Sequence, residues 1–292
     1  MNIFKSGEPI DLSDHMLSTY KTLRVVLVII ALAFPWVLWI GGRFVFDRVD
    51  LQPSMSDYYH ASSASIDKRD SDGLAGRTPD PLNSGRGIMR NWFVGVLFGV
   101  GALLAVYKGF RPAENLALNL AGIFAVLVAV CPNVWEGEDN GPPLHGVFAV
   151  CFFLCIAYVC IFCASATLSL VKEDKRKRFR KAYKFLGWAM VASPVVAVIL
   201  TYALQHRQSY IFFAEACGVY AFAIYWLVKT VEISQTNADR RAASGELQLA
   251  AGKGASDAIR ELPVTVAQGF NSSNPVSYAS VERRNVSDPQ RE

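Results

Sequence analysis

The sequence predicts an all-α fold: an integral membrane bundle of six transmembrane helices with a polar outer loop and a disordered C-terminal tail. Three observations lead there. Of 292 residues, 52% are apolar and only 18% are charged, where a soluble domain carries about 25% charge. The mean hydropathy is +0.25. The apolar residues fall in six long blocks that are nearly free of Asp, Glu, Lys and Arg. This composition argues against a soluble globular protein and excludes a disordered or collagen-like chain.

Each block has the length of a membrane span. A helix needs roughly 20 apolar residues to cross about 30 Å of hydrocarbon. The first block, about 23–42, lies between Arg24 and Arg43. It is too long for a signal peptide and has no small-residue cleavage pattern, so it reads as a retained helix. The others are about 91–109, 115–133, 145–171, 185–205 and 209–230. None alternates as a spanning strand would. A helix satisfies its backbone polar groups within the segment, as hydrocarbon demands. Pro35 and Pro194 are expected to kink the first and fifth helices. Residues 1–233 thus form the transmembrane domain, and 234–292 a disordered cytoplasmic tail with a short helix near 238–251. Residues 61–88, rich in Ser, Asp, Gly and Pro, read as a mobile outer loop.

Lys and Arg in short loops mark the cytoplasmic face. The connection before the fifth span carries Lys172, Lys175, Arg176, Lys177, Arg178, Arg180, Lys181 and Lys184 against Glu173 and Asp174. The third loop has no basic residue, and the fifth has only Arg207. Both termini are therefore expected inside, with loops one, three and five outside. The basic loop Lys175, Arg176, Lys177, Arg178, Arg180 and Lys181 is explained as a topology determinant. It also suits anionic lipid headgroups, at roughly 1 kcal/mol per basic residue near the surface. Nothing in it points to nucleic acid, which would need base-reading or stacking groups beside the charge. The six cysteines all fall within spans and read as small apolar residues of a bundle rather than a disulfide framework or a metal cluster.

Small and polar residues inside the spans carry the remaining signal. Gly95 and Gly99 form a G-x-x-x-G pair, with Gly101 and Ala105 close by, and small residues let helices approach closely. Asn115 and Asn119 are one turn apart, suited to capping a helix end or bonding to a neighbour. Glu215 lies about six residues into the last span, roughly 9 Å along its axis. A charge at the centre of a span costs about 2.5 kcal/mol or more, less near its edge, so Glu215 is expected to face the bundle and to be paired, protonated or wet. The topology gathers Asp57, His60, Arg90, His145, His206 and Glu215 at the outer face. His60 and His145 with Glu215, and Asp57 beside them, would suit zinc, although no His-x-x-x-His or His-Glu-x-x-His spacing accompanies them, and no cofactor is expected from a motif. Ser54 or Ser56 with His60 or His145 as base is possible nucleophilic chemistry, without a nucleophile-elbow sequence. The plain alternative is that these residues hold the outer loop against the bundle.

The segments Ser54-Met-Ser-Asp-Tyr-Tyr-His60, Arg90-Asn-Trp-Phe-Val-Gly95, Tyr107-Lys-Gly109, Asn119-Leu-Ala-Gly122, Leu144-His-Gly-Val-Phe-Ala149 and the run from Glu215 to Lys229 carry a resemblance. Together they resemble a group of bacterial polytopic inner-membrane proteins of unknown function. The resemblance covers most of residues 50–230 and implies a six-helix integral membrane protein of the inner membrane. Ser56, Asp57 and His60 also fit loosely the seven-helix membrane hydrolases that include alkaline ceramidases and progestin-receptor-like proteins. That likeness would imply a metal-dependent hydrolase acting on lipid headgroups, but a seventh span and the paired His of that group are missing. The leading expectation is a multi-pass membrane protein with an outward-facing polar pocket of Asp57, His60, Arg90, His145 and Glu215 for a lipid, a proton or a small solute. The hydrolase comes second and a transporter third.

Overall fold

The computed structural model describes residues 12–45, 50–59, 88–131, 144–203 and 209–244, together with Pro263 and Val266. Most of the described residues are helical, with no strand among them. Helix α1 spans Leu12–Ile40 and runs into a π-helical turn, Gly41–Val45. A short 3-10 turn follows at Ser56–Tyr59. Then come α2 (Ile88–Val106), α3 (Pro112–Val130), α4 (Leu144–Tyr158), α5 (Glu173–Ala203), α6 (Tyr210–Thr236) and α7 (Ala238–Ala243). Six helices are long and apolar enough to cross a membrane, and the chain is a multi-pass membrane protein. The expected mobile loop over 61–88 lies outside the described residues up to Ile88, as do His60 and His206.

The six long helices pack in chain order into a closed ring. Each contacts its neighbours in sequence, and α1 closes the ring against α6 and α2. Lipid tails are as apolar as leucine, so burying large apolar side chains gives helices little reason to associate; close packing through small residues does. The chain follows that logic. Ala113, Ala117, Ala121, Ala125 and Ala129 line the buried stripe of α3, and Ala216, Ala221 and Ala223 that of α6. Bulky Trp36, Trp188, Ile199 and Phe213 face outward, where hydrocarbon solvates them.

Helices α2 and α3 bring backbone against backbone. A Cβ added at Gly101 would lie 2.8 Å from the Gly122 carbonyl oxygen, and one at Gly122 would lie 2.7 Å from that of Gly101. Gly95 and Gly99 take no part, since a Cβ on either meets nothing within 4 Å. Two residues turn a helix by about 200°, so Gly99 and Gly101 cannot share a face.

Two further elements differ from expectation. The basic run expected as a loop forms the first turns of α5. Glu173 and Asp174 sit in its first turn, where acidic side chains complement the helix dipole, and Lys and Arg are good helix formers. Arg176 turns back to donate to the carbonyls of Leu168 (3.0 Å), Ser169 and Val171, which end the preceding element. That element is the continuation of α4 as a π turn, Val159–Cys163, and a 3-10 stretch, Ala164–Leu170. At the C-terminal side, α6 passes residue 233 and ends where Asn237 takes φ 50° and ψ 33°, the left-handed conformation that asparagine tolerates. Helix α7 then docks on α1 through Arg24–Asp239 and Asp14–Arg240, both 2.6 Å. The tail expected from 234 therefore starts as helix; residues 245–262 and 267–292 lie outside the described residues.

Candidate functional site

The site grows from one short segment. Residues 50–59 fold over the start of α6, where the first amide groups of a helix lack internal partners. The Pro53 carbonyl accepts one of them, Phe212 N–H, at 2.7 Å. Ser54 and Asp57 then form a reciprocal turn resembling a capping box. Asp57 Oδ2 accepts the Ser54 N–H at 3.2 Å, and Ser54 Oγ accepts the Ser56 N–H at 3.0 Å. Tyr58 is fully buried against Phe212, ring centroids 6.2 Å apart. Burial pushes its phenol up to about 12, so it stays neutral at physiological pH.

Glu215 holds this segment from α6. Its carboxylate accepts the Met55 N–H at 2.7 Å and the Ser54 hydroxyl at 2.9 Å. The acid within the span is thus paired, as its place in the sequence demands, by an amide and a hydroxyl.

His145 holds the segment from α4. It is 5% exposed and lies beside the Phe93 ring at 6.2 Å. Its Nδ1 sits 2.7 Å from the Cys131 carbonyl oxygen, and its Nε2 sits 3.0 Å from Ser56 Oγ. A carbonyl only accepts, so Nδ1 carries the proton. In the neutral ring the Nε2 lone pair then faces the Ser56 hydroxyl.

Beside this segment lies a cavity of about 160 Å³. Its walls are mostly apolar, with Phe34, Phe93, Ala149, Phe153, Pro194 and Val219 among them, and Ser56, His145, Ser193 and Glu215 supply the polar lining. A dry apolar cavity of about 150 Å³ takes up benzene, so this one fits a hydrocarbon segment of about six carbons. Ser193 is 7% exposed, and its hydroxyl oxygen finds no hydrogen-bond partner among the described residues. Its neighbour Pro194 has no N–H, which also frees the Met190 carbonyl in the same helix.

Of the residues singled out from sequence, Asp57, His145 and Glu215 are linked through Ser54 and Ser56. Arg90 is exposed, its guanidinium 5.8 Å from the Tyr59 ring centroid. His60 lies outside the described residues. Among those described, no three His, Cys, Asp or Glu side chains group as metal ligands would. Lys175, Lys177, Arg178 and Lys181 are exposed along α5, while Arg176 and Arg180 are half-buried.

A second polar cluster sits toward the opposite ends of α5 and α6, and of its residues the sequence singled out only Asn115. Lys229 Nζ donates to Glu232 at 3.1 Å, to Thr167 Oγ1 at 2.7 Å and to the Ala164 carbonyl at 3.2 Å. Glu232 also accepts from the hydroxyls of Thr167 and Tyr183. Glu114, 2% exposed, accepts the Phe110 N–H at 2.9 Å, and Asn115 Oδ1 accepts the Gly109 N–H at 2.6 Å. Arg24, 1% exposed, reaches Asp239 and the Tyr107 hydroxyl. The available signal was the Lys229-to-Glu232 spacing, which puts two opposite charges on one helix face. Each charge named here has a partner inside the protein, so the cluster reads as structure rather than a site.

Comparison of the chain with protein-family models, with curated proteins and with solved structures finds no match.

Proposed function

We propose that this membrane protein binds an amphiphilic lipid, with a hydrocarbon segment in the cavity and the polar group against Ser56, His145 and Glu215. The cavity carries the reading. It is apolar over most of its wall and polar at a few positions, the pattern of a binding site for a molecule of mixed character. The buried Ser193 hydroxyl, which lacks a partner among the described residues, adds one donor for a ligand polar atom. A proton or a bare cation needs no hydrocarbon-lined space, so neither accounts for the cavity. The pocket faces outward in the bacterial inner membrane, by the charge count that sets both termini in the cytoplasm. The exposed basic side chains of α5 then lie at the cytoplasmic surface and meet anionic headgroups there.

Native mass spectrometry of the gently extracted protein tests this. The expected result is an adduct of lipid mass on the wild type, lost in Ala149→Phe, which fills the cavity. An adduct that persists unchanged in Ala149→Phe, or its absence from the wild type, contradicts the reading.

A further inference from the structure

We infer that Ser56 and His145 form a serine–histidine dyad that cleaves an acyl ester of a lipid held in the cavity. This rests on the lipid-binding reading above. Three observations carry it.

The first is the pairing. Ser56 Oγ lies 3.0 Å from His145 Nε2, and the Cys131 carbonyl, 2.7 Å from Nδ1, selects the tautomer whose Nε2 lone pair faces Ser56 Oγ. A nucleophile within reach of a base, and the base aligned by a third group, is the arrangement that activates a serine. The second is that the hydroxyl is held in place. The Ser56 backbone is tied through its N–H to Ser54 Oγ, which is tied in turn to Glu215. Ser54 and Glu215 are thus positioning residues. The third is access. Ser56 and His145 both line the cavity, so a carbonyl joined to a chain lying there meets the hydroxyl directly.

The reaction balances with water as the only co-reactant. Ser56 Oγ bonds to the acyl carbon while its proton passes to His145 Nε2. The ester C–O bond then breaks, and the departing alcohol oxygen takes that proton. Water next attacks the acyl-serine carbon and gives a proton to Nε2. The acyl-to-Oγ bond breaks, Oγ recovers the proton, and a carboxylic acid leaves. One ester and one water become one acid and one alcohol. No metal is required.

An alkyl fluorophosphonate, which bonds to activated serines, tests the dyad on the detergent-purified full chain. Peptide mapping locates the adduct, and native mass spectrometry follows bound lipid in the same samples. The expected result is a single adduct on Ser56, absent from Ser56→Ala. Labelling of His145→Gln should slow by about 100-fold, the low end of what a general base contributes. A far-ultraviolet circular-dichroism spectrum and a melting midpoint equal to the wild type's show that Ser56→Ala is folded. No adduct on a lipid-bound wild type overturns the dyad and leaves the pocket standing. An adduct at Ser54 or Ser193, or undiminished labelling of His145→Gln with lipid still bound, overturns it equally. Loss of lipid from the wild type removes both readings.

Discussion

Lys229 takes a charge to a place where only 2% of its side chain meets the outside, beside a Glu232 that is fully buried. Removing one partner from such a pair strands the other, at a cost of about 3–5 kcal/mol. Lys229→Met is therefore expected to lower the thermal unfolding midpoint in detergent sharply. Glu232→Gln keeps an acceptor for the hydroxyls of Thr167 and Tyr183 but leaves the Lys229 charge uncompensated, so it too should lower the midpoint. Equal, small shifts for both would show that the pair carries little of the packing. The sequence displayed these residues without their role. Arg24, Glu114 and Lys229 each close an apolar block, and a charge at the end of a block ordinarily lies in the headgroup region. Only the three-dimensional crossing brings Thr167 and Tyr183 onto Glu232. Glu215 differs: it stands inside a block, so its cost in hydrocarbon singled it out, although its partners, Ser54 and the Met55 amide, come from a turn about 160 residues away.

Helices α2 and α3 show how an element can be legible in its existence and misread in its face. All six spans follow from block length, because hydrocarbon leaves the backbone few alternatives. Which glycine meets a neighbour depends on helix rotation, and one sequence does not fix that. Gly101→Leu is expected to force α2 from α3, because backbone lies within 2.8 Å of the added Cβ. The expected cost is at least the 1–3 kcal/mol of ordinary overpacking. Gly95→Leu and Gly99→Leu should leave the melting midpoint nearly unchanged or slightly raised, since leucine favours a helix over glycine. A loss in all three variants would place a second helix on the Gly95 face. The start of α5 teaches a related point. Its Lys-Arg run contains no helix breaker, and at 31 residues the helix is about 46 Å long, beyond the hydrocarbon thickness. The charge marked the membrane edge well and the helix end poorly.

Across the whole molecule, the ring of six helices carries two unlike polar regions. One is built on residues 50–59 and borders a cavity; the other is filled by mutually paired charges. The charge count assigns the first to the outside. An impermeant maleimide should label Asp50→Cys in intact cells and Lys177→Cys only after permeabilisation; the reverse pattern would invert the topology. The convergence of Ser54, Ser56, His145 and Glu215 was only partly legible. The Ser54-x-x-Asp57 spacing marks a turn, but the long connection between α1 and α2 left open where that turn would dock. The cavity was not legible at all, because it is a void shared by all six long helices.

The central claim is that a lipid chain occupies that void. Photocrosslinking with a phospholipid bearing a diazirine near one chain end tests it most directly. The account predicts adducts on the cavity wall, at Ala149, Phe153 or Val219, which disappear in Ala149→Phe. Adducts confined to lipid-facing positions such as Trp188, Val195 and Ile199, and indifferent to Ala149→Phe, would contradict it.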